Sequence, residues 1–224
     1  MRARFHFVMA LLLAAVAQAQ VVDRMVAVVN KRVILESELD QATRVEFMQQ
    51  AKPIERLTYA DRTVVMERLI DRSLLDQQIV NPAMLDPAPE ELKTKIEEVR
   101  QGIPGASKDE DWKTMLAGYG LTQQDVEEQL ALQVRILRFI DLRFRGLVRV
   151  DKESIAAYYQ DRFLPEVRKR NASEPTLAEV SDRIEQILAE QRIDELLNNW
   201  LKTLRAQAHI ERMLPATATN AGTQ

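Results

Sequence analysis

Residues 21–40 read VVDRMVAVVNKRVILESELD. Val22, Met25, Ala27, Val28 and Val29 form a run dominated by β-branched and apolar side chains, the composition of a half-buried strand. Asn30-Lys31 interrupts the run at a turn, because Asn takes positive φ at low cost. Val33, Ile34 and Leu35 make a short return strand. Ser37 then stands where a helix N-cap is expected, with Asp40 three residues on to help satisfy the orphan N–H groups of the first turn. Hairpin, cap and helix follow one another with no spacer.

Upstream lies the pattern of an export signal. Arg2 and Arg4 give a positive start, Phe5 to Val16 is apolar apart from His6, and Ala17-Gln18-Ala19 is a small-x-small cleavage site. The apolar run is too short to span a bilayer, which takes ~20 residues. A cleavable signal over 1–19 is therefore expected, and no stable membrane insertion after its removal. Cleavage leaves 205 of the 224 residues, enough for one ordinary domain or one domain with an arm. Loss of Arg2 and Arg4 moves the formal net charge from −3 to −5, a mildly acidic balance that gives no support for nucleic-acid binding. The chain has no Cys, so stability must come from packing rather than from disulfides.

Helical patterns dominate the remainder. The capped helix continues to Ala51 and ends before Pro53. Asp61 is the expected cap of a second helix running to about Val80, with Val65, Met66, Leu69, Ile70 and Leu74 on one face. Pro89, with Glu90 and Glu91 at its positive end, opens a third helix that Gly102–Gly105 closes. Asp109, Glu110 and Asp111 start a short fourth one. Gly118-Tyr119-Gly120-Leu121-Thr122 is a stop followed by a start, with Thr122 and Asp125 as an N-cap pair. The helix after it reaches about Arg145 and is apolar nearly all round, through Leu130, Leu132, Val134, Ile136, Leu137, Phe139, Ile140 and Leu142. Such a helix is expected to be central and covered on several sides. Asp151 caps a helix through Tyr158 and Tyr159, and 163–175 reads as a short polar connector. Thr176 starts a last helix to about Ala206, ~46 Å long at 1.5 Å per residue. Its apolar stripe shifts near Gln191-Arg192, so its halves are expected to pack on different surfaces. Ala208–Leu214 reads as a terminal strand, and 215–224 as a disordered tail.

The segment VVDRMVAVVNKRVILESELD resembles the start of mature SurA-type periplasmic chaperones, and Glu67-Arg68-Leu69-Ile70-Asp71 looks like part of their second helix. Gly120-Leu121-Thr122 leading into QLALQVRILRFI resembles their long N-domain helix. Val150-Asp151-Lys152-Glu153-Ser154-Ile155-Ala156-Ala157-Tyr158-Tyr159 resembles the stretch that leads into a parvulin-type prolyl isomerase domain. Leu196 to Arg205, followed by Ala208-His209-Ile210, resembles the C-terminal helix and strand shared with PpiD and PrsA. The resemblance implies a mainly α fold: a multi-helix core module with a small antiparallel β-sheet made of the N-terminal hairpin and the C-terminal strand. It divides the chain into an N-terminal helical part at 20–162, a linker at 163–175 where the isomerase domain would sit, and a completing helix and strand at 176–214. That linker is too short to hold a domain of roughly one hundred residues. The isomerase site of that fold relies on histidines and a Cys or Asp, whereas His209 is the one His after the signal.

Other chemistry finds little support in the composition. One His and no Cys do not supply a transition-metal ligand set, and His209 has no nucleophile beside it in the sequence. Carboxylates cluster at helix starts, where capping accounts for them. Gly102-Ile103-Pro104-Gly105 lacks the Lys-Ser/Thr of a phosphate loop, and Asn171-Ala172-Ser173 fits a glycosylation sequon. No cofactor, metal or catalytic residue is expected. Binding by shape and apolar contact remains. Its candidate residues are Phe47 and Met48 on the first helix and Trp112, Met115, Leu116 and Tyr119 on the fourth, lining a groove for an extended chain. The sheet edge is a second candidate, through strand addition. The expected function is an ATP-independent periplasmic chaperone of unfolded exported polypeptides, outer-membrane β-barrel precursors among them. The alternatives are an assembly subunit with one fixed envelope partner and a residual prolyl isomerase.

Overall fold

The computed structural model describes residues 23–170 and 173–213. The export signal, Val21 and Val22, Asn171 and Ala172 of the sequon, Leu214 and the polar tail lie outside the described residues. Strand β1 (Met25–Val29) and strand β2 (Arg32–Leu35) form the expected antiparallel hairpin, with Val29 opposite Arg32 and a register shift between Met25 and Ala27. Asn30 takes φ 58 at the turn. Strand β3 (Ile210–Arg212) pairs antiparallel with the other edge of β1, Ile210 opposite Val29, so the sheet order is β2-β1-β3. The protein is thus mainly α with one small three-stranded sheet.

Helix α1 (Glu36–Gln49) begins directly at the end of β2. Ser37 is not its N-cap; Leu35 holds that position in an extended conformation, with no side-chain cap. The cap comes from upstream instead. The Asp23 carboxylate accepts from the Ser37 N–H at 3.2 Å and from the Ser37 hydroxyl, and the Ser37 hydroxyl bond is the main reason its pKa lies below the usual value. Asp40, expected to help the cap, accepts from Arg62 of the next helix. Ala51, at φ 49, ends α1: the Lys52 N–H reaches the Phe47 carbonyl and the Ala51 N–H that of Met48, which closes the last turn.

Helix α2 (Tyr59–Asp76) is capped by Thr58 rather than Asp61, which sits three residues on and completes a capping box. It stops short of Val80, which is fully exposed. Helix α3 (Pro89–Gly102) and helix α4 (Asp109–Gly118) start as the carboxylate clusters indicate. Gly120 ends α4 at φ 64, where an added Cβ would stand 3.1 Å from the Arg44 guanidinium. Helix α5 (Gln123–Phe144) opens with the expected Thr122–Asp125 capping box. Asp151 caps helix α6 (Lys152–Tyr158) through the Ser154 N–H. The connector expected over 163–175 is helical as far as Lys169. A π-helical turn at Tyr159–Phe163 runs straight into helix α7 (Leu164–Lys169), whose Leu164 is buried. The polarity of the segment misled because α7 buries only that one side chain. Helix α8 (Leu177–Gln207) then returns along the molecule.

Three apolar clusters result, and α5 runs through all of them. Val126 and Leu130 join Val45, Met48, Ile96, Ile103, Trp112, Leu116 and Leu121. Ile136 joins Val26, Val29, Ile34, Leu39 and the apolar face of α2, with Leu204 of α8. Phe144 joins Val148 and Ile193. The two halves of α8 do pack differently: Leu204 belongs to the cluster beneath the sheet and Ile193 to the one at the end of α5. Trp200 is only partly buried, with Phe144 edge-on at 5.7 Å and the Arg143 guanidinium over its face at 4.1 Å. The expected full cover of α5 is not found: Leu137 and Leu142 are 56% and 74% exposed.

The end of the chain is fixed to α2 by charge. Glu67 accepts from Arg205 at 2.8 Å and from Arg212 at 2.6 Å, while Asp71 accepts from Arg205 at 2.6 Å. The Arg212 hydrogen bond is the main reason the Glu67 pKa falls to about 2 from 4.5, with Arg205 adding to it and desolvation opposing. A carboxylate whose pKa is lowered by folding contributes stability that is fully present above the unfolded-state pKa and is lost as pH falls through the folded one. Glu67→Gln is predicted to cost about 1–2 kcal/mol at pH 7, discounted for the exposure of these ion pairs. The deficit should shrink between about pH 5 and pH 2. Urea titrations of both proteins across that range measure it, and a pH-independent difference would refute it. A chain ending at Arg170 is predicted to lose cooperative unfolding, since it lacks β3 and the α8 contribution to the central cluster. A truncated chain melting at the full-length midpoint would contradict this.

Candidate functional site

Five of the six residues expected to line a groove gather in one cluster, and Phe47 is buried outside it. Phe47, Met48, Trp112 and Leu116 are buried, and Met115 and Tyr119 are half-buried against the same cluster as Met48. Trp112 Nε1 donates to Gln123 Oε1 at 2.7 Å, the Tyr119 hydroxyl donates to the Lys52 carbonyl at 2.8 Å, and Arg44 donates to the Tyr119 carbonyl at 2.9 Å. Desolvation raises the Tyr119 pKa, with Glu55 adding to it. Through that cluster α4 packs against α1, α3 and α5. Short elements looked marginal in sequence because their apolar residues are few. Here those few are the ones that hold α4 on.

Accessible apolar surface is found on α5, at Leu137 and Leu142. Leu130, Val134 and Leu137 recur at helical spacing along one face of α5. Leu137 lines three adjoining clefts. One, of about 470 Å³, lies against α3 and includes Val99 and Ile103. The second, of about 690 Å³, lies against α8 and includes Leu85, Leu142, Ile193 and Leu197. The third, of about 470 Å³, lies against α1 and α2 and includes Arg72, Leu75 and Ile136. A single exposed leucine carries no message, whereas one at the meeting point of three clefts belongs to a continuous surface.

The polar groups around this surface are of two kinds. The charges are largely neutralised by each other: Lys95 with Glu98 at 2.7 Å, Arg135 with Asp86 at 2.6 Å, Arg138 with Glu91, and Arg145 with Asp141. Arg72 sits deeper, donating to Gln129 Oε1 at 2.8 Å, and burial pushes its pKa down while Glu38 and Glu46 oppose that shift. The side-chain amides of Gln49 and Gln133 differ. Both line the α3 cleft and the α1–α2 cleft beside Leu137, and neither has a side-chain hydrogen-bond partner among the described residues. Each offers two donors and an acceptor. A peptide backbone presents the complement of that set, and the apolar walls can take its side chains. The sequence marked Leu137 only as core, and neither glutamine carried a signal of its own.

Comparison with models of known protein families finds no match, and comparison with curated proteins finds none either. Trp112→Ala is predicted to destabilise the fold by about 3–5 kcal/mol, the usual cost of truncating a buried aromatic. Urea unfolding tests it; unchanged stability with lost client binding would restore the groove on α4.

Proposed function

We propose that this protein is an ATP-independent, non-enzymatic chaperone of the periplasm that holds unfolded exported polypeptides, outer-membrane β-barrel precursors among them. The observation that carries the reading is the exposed face of α5, where Leu137 meets three clefts and the Gln49 and Gln133 amides stand beside it. Apolar walls accept side chains of many shapes, and carboxamides hydrogen-bond any backbone, so neither selects a sequence. The self-paired rim adds little net charge to exclude a client of either sign. An unfolded β-barrel strand alternates apolar and polar residues, which suits a surface with an apolar floor and polar edges. The resemblance of the hairpin, the Gly120-Leu121-Thr122 stop and start and the last helix to SurA-type chaperones supports the same reading, and with it the periplasmic location.

The test is aggregation of an unfolded β-barrel precursor without nucleotide. The protein lacking residues 1–19 is predicted to suppress aggregation at near-stoichiometric ratio. Leu137→Asp is predicted to lower that suppression several-fold while leaving helical content and midpoint unchanged, because the side chain is already half in solvent. Full activity in Leu137→Asp would remove the α5 surface from the mechanism. Inactivity of the unaltered protein towards several unrelated clients, with capture of one stoichiometric envelope protein, would favour the fixed-partner reading. Acceleration of proline isomerisation would favour the enzymatic one.

A further inference from the structure

We propose that the pocket between the α6–α7 turn and the middle of α8 binds the free carboxyl end of a polypeptide whose last side chain is aromatic or large and apolar. The π-helical turn at Tyr159–Phe163 separates α6 from α7 and leaves a pocket of about 880 Å³ beside Gln191 of α8. Tyr158, Phe163 and Val167 supply an apolar wall, and the Phe163 ring is held by stacking on Tyr159 at 5.9 Å. Arg162 and Arg170 also line the pocket, and neither forms a contact ion pair with a carboxylate among the described residues. Lys169 is taken by Glu166 at 2.7 Å. That Lys169 hydrogen bond is the main reason the Glu166 pKa lies below its usual value, and Arg170 adds to the effect. Asp161 is the other carboxylate on the lining, so three cations stand against two carboxylates in a chain whose formal net charge is −3.

The combination selects the ligand. A guanidinium presents a planar fork that matches a carboxylate with two parallel hydrogen bonds. The volume exceeds what a bare carboxylate or phosphate fills and falls in the range of pockets that enclose a large side chain. Gln191 of α8 also lines the pocket and offers an amide able to hydrogen-bond a peptide group. Glu190 of the α5–α8 cleft and Gln191 are consecutive on α8, so both sites share that helix. That the ligand is a polypeptide rests on the chaperone reading; the preference for a free carboxyl end is additional to it.

Fluorescence anisotropy with a labelled decapeptide ending in phenylalanine tests the proposal on the full chain lacking residues 1–19. The free acid is expected to bind about tenfold tighter than the same peptide with a C-terminal amide, the effect of one charge-assisted hydrogen bond. Arg162→Gln with Arg170→Gln should erase the difference, and Arg162→Lys with Arg170→Lys should leave part of it. Arg183→Gln with Lys202→Gln removes the same net charge elsewhere and should leave the difference whole. Equal binding of acid and amide, no binding of either, or loss of the preference in the Arg183/Lys202 variant overturns the proposal. Displacement of the acid by millimolar inorganic phosphate as readily as by excess unlabelled acid would assign the pocket to small anions and overturns it too. Aggregation suppression is read separately with a client whose carboxyl end is blocked, so failure there with the acid preference intact strikes the α5 reading alone.

Discussion

Strand β1 can satisfy only one of its edges from its own neighbourhood. The hairpin supplies β2, and a two-stranded ribbon of this length is marginal in water. The other edge waits for β3, contributed by the far end of the chain. The joint is tighter than the strand register alone conveys. Asn30 donates its backbone N–H to the His209 carbonyl at 2.7 Å, accepts the His209 N–H on its side-chain oxygen at 2.9 Å, and donates its side-chain amide to Gln77 at 2.9 Å. The same residue that turns the hairpin thus ties it to α2 and to the C-terminal segment. Glu67 performs the corresponding task one layer down, with two arginines from beyond residue 200. The apolar cluster beneath the sheet is complete only when both are in place.

Much of this was legible in the sequence where one short-range rule acts alone. The Thr122–Asp125 and Asp151–Ser154 caps, the carboxylates opening α3 and α4, the Gly120 stop and the Asn30 turn all follow from local backbone chemistry. Two caps were misplaced: that of α2 is Thr58, three residues before Asp61, and that of α1 is satisfied from elsewhere. Ser37 is capped by Asp23, fourteen residues upstream, and Asp40 is drawn away by Arg62. The polar appearance of α7 concealed a helix whose stability comes from its neighbours. The candidate site was the least legible part. Burial is a property of what returns to cover a helix, and neither the exposure of Leu137 nor the burial of Trp112 is written in the periodicity of its own segment.

Helix α5 shows how one element can serve core and surface at once. It contributes to every apolar cluster, yet α3 and α8 flank it without closing over its middle. A helix this apolar would ordinarily be fully sheathed. The exposed part is held rigid by the buried part, because Leu130, Ile136 and Phe144 lock the same helix that displays Leu137. If this surface holds a chain as proposed, it need not reorganise to do so, and the ordering cost falls chiefly on the chain.

The hydroxyl of Tyr159 donates to the carbonyl of Pro175 at 2.7 Å, and Arg168 grips Glu174 through two hydrogen bonds at 2.7 and 2.9 Å. The outgoing and returning strands of the connection are thereby pinned side by side on either side of Arg170 and Ser173. Those contacts are made by residues 159, 168, 174 and 175 alone and leave the three apolar clusters untouched. In the vocabulary of mechanics this is a clasp, made by two side chains, Tyr159 and Arg168, and independent of the core beneath it.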